Sequence, residues 1–136
     1  MNQNTDFIEI ITPYITDLYV MSETDAELVP FVWANLSTEK PLSIPTILTH
    51  LEKEKDIKVE MITLEKFFSP LVKIHKGDDE DTIATANQFK DLQKKLTETL
   101  TEINVLRTGE IEIDVYIIGK NAQNQYAGLQ TFVVET

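Results

Sequence analysis

The chain has 136 residues, of which 42% are hydrophobic, and this size suits one domain with a sizeable core better than two. It carries 23 acidic residues against 12 Lys and Arg, and the resulting net charge of −11 argues against direct binding to nucleic acid or to a membrane. The sequence has no cysteine, no opening signal segment and no apolar run near the roughly 20 residues that span a bilayer, so we expect a soluble, cytoplasmic protein.

The first predicted element is an amphipathic helix over residues 4–20. Pro13 either kinks this helix or starts a second one with Thr12 as its N-cap. The apolar residues recur at spacings of three and four, as on the buried face of a helix: Phe7, Ile8, Ile11, Ile15, Leu18 and Tyr19.

Short elements are predicted for the middle of the chain. Residues 21–27 are expected to form an acidic loop and residues 28–33 an edge strand, since Pro30 cannot donate to a strand ladder. Two helices with N-caps and a strand follow: a helix opened by Ser43 that stops near residue 54, a strand over 57–62, and a short helix opened by Thr63 and ended by Pro70.

The longest periodic segment predicts a helix over residues 79–104. The acidic run 78–81 lies at its N-terminal end, where the helix dipole favours negative charge, so capping explains this run better than recognition does. Apolar residues recur every three or four positions: Ile83, Ala86, Phe89, Leu92, Leu96, Leu100, Ile103 and Leu106. We expect the stripe Phe89, Leu92, Leu96 and Leu100 to be buried.

The clearest strand signal lies in residues 110–119, where isoleucine and valine alternate with acidic residues and Tyr116. A polar turn and a return strand over 125–135 complete a hairpin. The return strand carries apolar residues on both faces, so helices should cover the sheet on two sides. We therefore predict an α/β (α+β) fold: a single-domain α-β-α sandwich with a central, mostly antiparallel sheet and a C-terminal β-hairpin.

Catalytic patterns are scarce. His50 lies in a Lys/Glu-rich helix and His75 in an irregular segment, so both are interpreted as solvent-facing residues. No GxGxxG, P-loop, HExxH or GxSxG pattern occurs. Paired carboxylates are frequent, but in so acidic a chain they arise by chance on solvated surface. We therefore favour a protein that is not an enzyme over an enzyme with clustered carboxylates.

Two further acidic features leave alternatives open. The polar face of the strand over 110–119 is either solvated or paired with lysines of a covering helix; its acids are Glu110, Glu112 and Asp114. The loop Glu23-Thr24-Asp25 has less structural reason to be acidic, although loops are commonly polar. Alone, these features indicate only an acidic α/β protein.

Several segments, in order along nearly the full chain, resemble the nuclease A inhibitor (NuiA-like) family. The resemblance is strongest in the closing hairpin. Its segments are Val20-Met21-Ser22-Glu23, Phe31-Val32-Trp33, Phe67-Phe68-Ser69, residues 109–119, Ala127-Gly128-Leu129 and Val133-Val134-Glu135-Thr136.

The resemblance implies an α-β-α sandwich that inhibits a sugar-non-specific, Mg²⁺-dependent endonuclease of the ββα-metal class by plugging its active site. It implies that Glu23 imitates the charge of the scissile phosphate, and that Thr136 offers its hydroxyl, beside the terminal carboxylate, to the nuclease's Mg²⁺. It implies no cofactor of the chain's own, and a monomer or a 1:1 heterodimer with the nuclease. The expected partner-binding residues are Glu23, Thr24, Asp25, Lys76, Gly77, Asp78, Glu135 and Thr136.

Two adjacent positions depart from the family pattern. The family's second contact patch has an acid followed by a tryptophan, whereas this chain has Lys76 and Gly77. Aromatic anchors dominate interface energies, and Asp78 or Asp79 would substitute only in part. The departure favours an alternative, in which the protein keeps the fold as an interaction or regulatory module without nuclease inhibition.

Overall fold

Four helices and seven strands are formed by residues 3–39 and 42–135, which are the residues that this computed structural model describes. Their order is α1 (Gln3–Ile15), β1 (Tyr19–Met21), β2 (Asp25–Glu27), β3 (Val29–Trp33), α2 (Ile44–His50), β4 (Val59–Ile62), α3 (Leu64–Val72), α4 (Glu80–Thr99), β5 (Thr101–Thr108), β6 (Glu112–Lys120) and β7 (Tyr126–Val134).

Five strands form one antiparallel sheet in the spatial order β3-β7-β6-β5-β4. β6 and β7 pair from Glu112 opposite Val134 to Lys120 opposite Tyr126, so the predicted C-terminal hairpin is confirmed and lies inside the sheet. β3 stands at one edge, as predicted for the segment that contains Pro30. β4 stands at the other edge.

Helices cover the sheet on both faces, which confirms the α-β-α sandwich. We call the face covered by α1, α3 and α4 the helix-rich face; its core includes Val105, Ile117 and Leu129 of the sheet. The opposite face packs Tyr116 and Ile118 against Ile47 of α2. Because helices bury both faces of the sheet, β6 and β7 carry apolar residues on both faces.

The starts of the helices follow the predicted capping residues. The hydroxyl of Ser43 accepts a hydrogen bond from the Thr46 amide and opens α2. The hydroxyl of Thr63 accepts a hydrogen bond from the Lys66 amide and opens α3. The Asp79 carboxylate accepts a hydrogen bond from the Thr82 amide at 2.8 Å. Hydrogen bonding to the side chain and then to the backbone of Thr82 lowers the pKa of Asp79. Capping therefore accounts for part of the acidic run.

The predicted apolar stripe of α4 is buried. Phe89, Leu92 and Leu96 of the helix, together with its C-cap Leu100, are at most 3% exposed and pack on the helix-rich face.

The prediction that α4 continues to residue 104 is wrong. The helix ends at Thr99, Leu100 has an extended backbone, and residues 101–108 form β5. Ile103 packs on the helix-rich face while Leu106 lies in the opposite core, as alternating strand residues can and residues of one helix stripe cannot.

Three other helix boundaries differ from the prediction. α1 ends at Ile15 and contains Pro13 in its last turn, so no second helix starts at Thr12. α2 ends at His50, because Glu52 takes a left-handed conformation with φ of 58°. α3 runs past Pro70 to Val72, although Pro70 has no N–H to donate to the carbonyl four residues before it.

Candidate partner-binding site

A small β-hairpin projects the acidic segment that the sequence marks as a recognition loop. β1 pairs with β2, Met21 opposite Asp25, so the prediction of an irregular loop over 21–27 holds only for residues 22–24, which we call the tip loop. The Ser22 amide donates to the Thr24 carbonyl at 2.9 Å and closes the turn. All three side chains of the tip loop are exposed.

Two hydrogen bonds, one to a side chain and one between backbone groups, fasten the tip loop to the end of β7. The Val134 amide donates to the Ser22 hydroxyl at 3.0 Å, and the Glu23 amide donates to the Val134 carbonyl at 3.4 Å. One residue further, the Glu135 amide donates to the Ile111 carbonyl at 2.9 Å. Glu23 and Glu135, which are 112 positions apart in the sequence, therefore lie at the same end of the sheet.

A three-residue ionic cluster lies beside this junction. Nη2 of Arg107 is 2.6 and 2.7 Å from the two carboxylate oxygens of Glu135, and its Nε is 3.3 Å from Oε1 of Glu60. We call these three residues the clamp. Each lies two positions from a sheet residue of the helix-rich core, and so on that face of the sheet; the neighbours are Ile62, Val105 and Val133.

Two shallow grooves flank the hairpin. One, of about 350 Å³, runs between the hairpin and α3 and is lined by Met21, Ser22 and the whole clamp. The other, of about 380 Å³, lies between β1 and the segment that joins α3 to α4 and is lined by Met21, His75 and Asp78. Met21 borders both grooves with 70% of its surface exposed, so the acidic tip loop has an apolar neighbour.

The segment that joins α3 to α4 forms a tight turn at the departure from the family pattern. The Asp78 carboxylate accepts a hydrogen bond from the His75 amide at 2.6 Å, and the Asp78 amide donates to the His75 carbonyl. Gly77 sits between them with φ of 91°, a conformation that side chains with a Cβ rarely adopt. This turn accounts for the glycine at position 77. Lys76 is exposed.

The structure brings together most of the predicted partner-binding residues. Glu23, Thr24, Asp25 and Glu135 share one end of the sheet, and Asp78 borders the groove beside the hairpin. Thr136 lies outside the described residues. Sequence reasoning missed Arg107, although it is the only arginine of the chain. The prediction of a helix up to residue 104 concealed the strand β5, on which Arg107 lies.

Of the acids on the polar face of β6, one is paired with a lysine and the others are solvated. Lys53, just past the end of α2, donates to Asp114 at 2.6 Å, whereas Glu110 and Glu112 are exposed. Burial acts to lower the pKa of Lys53, but the hydrogen bond to Asp114 and the negative charge around it raise it overall. Burial, followed by the charge of Asp114, raises the pKa of Tyr116.

The two histidines differ in surroundings. His50 is half-buried with its ring 4.6 Å from the Trp33 ring, so the prediction that it faces solvent is wrong. His75 is exposed, as predicted, and its Nδ1 is 3.8 Å from the Asp78 carboxylate.

Within residues 3–39 and 42–135, no group of three or more histidine, aspartate or glutamate side chains is arranged to hold a metal ion. No helix in that part of the chain is both long and apolar enough to cross a membrane.

The fold and the site define an acidic α/β protein that presents carboxylates from a hairpin and from the end of its central sheet on one surface. A family model described as nuclease A inhibitor-like protein matches residues 5–136. The chain therefore belongs to the nuclease A inhibitor-like family, and the resemblance seen in its sequence is confirmed. A comparison with curated proteins found no match.

Proposed function

We propose that the protein inhibits a sugar-non-specific, Mg²⁺-dependent endonuclease of the ββα-metal class by occupying its active site, and that it performs no catalysis itself. The observation that carries this proposal is the junction between the tip loop and the end of β7, in a chain of the nuclease A inhibitor-like family. The junction places Glu23 and the backbone that leads to Thr136 on one surface.

Glu23 takes the place of the scissile phosphate in this proposal. A carboxylate is the protein group closest in charge and geometry to two phosphate oxygens, and an active site that binds phosphate offers cationic partners. The hairpin holds the exposed Glu23 on a short turn fixed by Ser22, so little conformational freedom is lost when it enters the partner's site.

Thr136 supplies an oxygen ligand to the nuclease's Mg²⁺. Mg²⁺ is a hard cation that prefers oxygen and usually keeps sites open for water or substrate, so a hydroxyl can replace one of its water ligands. The protein binds no cofactor of its own in this mechanism; the metal belongs to the nuclease.

The partner surface is expected to be basic with an apolar margin. The net charge of −11 suits a groove that binds nucleic acid and disfavours direct contact with nucleic acid itself. Met21, exposed beside Glu23, supplies apolar contact area at the centre of the interface. We expect a 1:1 complex.

A second candidate function rests on the turn at residues 75–78. With Gly77 in a left-handed conformation and exposed Lys76 before it, the site lacks the aromatic anchor of the family's second patch. In this alternative the protein retains the fold as an interaction or regulatory module and does not inhibit the nuclease.

Steady-state cleavage of duplex DNA by an endonuclease of this class, with Mg²⁺ present, tests the proposal. Active-site occupation predicts that the apparent KM rises linearly with inhibitor concentration while kcat stays constant. A falling kcat at constant KM would place the inhibitor away from the active site. No inhibition, together with no heat of binding in calorimetry, would favour the second candidate.

A further inference from the structure

The clamp joins three parts of the sheet through one guanidinium group. Arg107 lies on β5 opposite Glu60 of β4 and opposite Val115 of β6. Its side chain crosses β6 and reaches Glu135, which follows the last residue of β7. The segment after β7 is therefore held from the side by an ion pair as well as by its backbone hydrogen bond to Ile111.

Arginine suits this position better than lysine would. Its planar group offers several N–H donors in fixed directions, so it can bond two carboxylates at once, whereas an ammonium is a single point charge. The Arg107 side chain is 23% exposed, which limits screening by solvent, while the two acids are about half exposed. Without the guanidinium, Glu60 and Glu135 would face each other as like charges.

We propose that Arg107 is a positioning residue for inhibition. It holds Glu135 and thereby sets the direction of the backbone that leads to Thr136. Glu135 then contributes to inhibition through this clamp and makes no essential contact with the nuclease. The inference rests on the proposed function, because it names the residue that orients one of the two groups in the nuclease's active site.

The first test compares Arg107→Met with Lys120→Met as a matched control. Lys120 is 24% exposed, forms an ion pair with Glu102 at 2.9 Å, and lies at the other end of β6. Because Lys120 and Arg107 each carry one positive charge, replacing either with methionine changes the net charge equally. Arg107→Met should weaken inhibition about 5- to 10-fold, as expected when a loosened segment must be ordered on binding. Lys120→Met should leave inhibition within about twofold.

A charge exchange separates the clamp from a direct contact. Arg107→Glu and Glu135→Arg should each weaken inhibition, and the double variant should recover most of the loss because an ion pair forms again. If Glu135 touches the nuclease, Glu135→Arg remains defective in the double variant, and the proposal is overturned.

The third readout needs no nuclease. Hydrogen exchange of the Glu135 amide in the free protein should become several-fold faster in Arg107→Met and stay unchanged in Lys120→Met, because the amide reports opening of the segment after β7. Unchanged exchange in Arg107→Met overturns the clamp. If Arg107→Met exchanges faster but inhibits normally, while Glu23→Gln inhibits less well, the role of Arg107 in positioning is overturned. If Glu23→Gln also inhibits normally, the proposed function fails and the clamp is not at fault.

Discussion

Ser22 connects the two parts of the site through one hydroxyl. Its Oγ accepts from the Val134 amide at 3.0 Å and lies 3.2 Å from the Thr24 carbonyl, to which it can donate. The same atom is 3.4 Å from the Thr24 amide. One small side chain thus shapes the turn that carries Glu23 and ties that turn to the end of β7.

Ser22→Ala should loosen the tip loop without unfolding the protein. The loss of a partly exposed hydrogen bond typically changes a free energy by about 0.5–1.5 kcal/mol, so inhibition should weaken roughly 2- to 10-fold. The melting temperature should fall by only a few degrees. The control is Ser69→Ala, at an exposed position of α3. Equal inhibition by the two variants in a nuclease titration would show that the Ser22 link is dispensable.

Sequence reasoning identified individual residues best where local chemistry decides the structure. The N-caps Ser43 and Thr63 were predictable because a hydroxyl before an apolar run satisfies a free helix amide. The link between Ser22 and Val134 was not, since it joins residues 112 positions apart. Such a contact depends on the packing of the whole chain.

At the scale of elements, β5 shows how one bulge conceals a strand. The register shifts between Thr101 and Asn104, and Glu102 takes a positive φ of 53°. The extra residue interrupts the alternation that marks a strand, so Leu100 and Ile103 keep a spacing of three that continues the pattern of α4. Strand β6 has a regular register and was predicted with nearly its observed bounds.

The burial of α4 gives a test of the packing. Leu96 is fully buried on the helix-rich face, and Leu96→Ala should lower the free energy of unfolding by about 2–5 kcal/mol because it leaves a cavity. Exposed Lys94 of the same helix provides the control, and its change to Ala should shift that free energy by less than about 0.5 kcal/mol. Urea unfolding measures both. A small loss for Leu96→Ala would contradict the observed packing.

The contact between Lys53 and Asp114 predicts how stability changes at alkaline pH. Folding raises the pKa of Lys53 and of Tyr116, so their contribution is complete below the unfolded values, about 10 to 10.4, and is lost as the pH rises through the folded values. Asp114→Asn removes the charge that raises both. The stability gap between wild type and Asp114→Asn should therefore be constant below about pH 10 and shrink as the pH rises above it.

Urea unfolding across that pH range measures the gap. Glu112→Gln, at an exposed position of the same strand, is the control and should follow the wild-type curve. A gap for Asp114→Asn that stays constant as the pH rises above about 10 would show that the carboxylate does not act through these two groups.

For the whole molecule, the net charge should act on the rate of association. Glu9 and Glu98 are exposed acids that line a groove with the turn between β6 and β7. β6 spans nine residues, and therefore eight steps, from the site to this turn, so the two acids lie roughly 26 Å from the site. At that distance salt screens the field of Glu9 and Glu98 at the site. The two acids therefore act only on the approach of the partner.

Neutralising both acids as Glu9→Gln with Glu98→Gln should slow association about twofold at low ionic strength. The difference should vanish at high salt, and the dissociation rate should stay unchanged throughout. Stopped-flow binding to the endonuclease separates the two rates. A changed dissociation rate would instead make this end of the molecule part of the interface.

The central claim is that Glu23 enters the nuclease's active site as a substitute for phosphate. The most direct measurement is the inhibition constant of Glu23→Gln, which keeps the shape and removes the charge, beside that of Glu27→Gln at an exposed position of the same hairpin. The loss of a desolvated interface charge predicts about 2–5 kcal/mol weaker binding for Glu23→Gln and less than about 1 kcal/mol for Glu27→Gln. Equal inhibition by the two variants would contradict the mechanism.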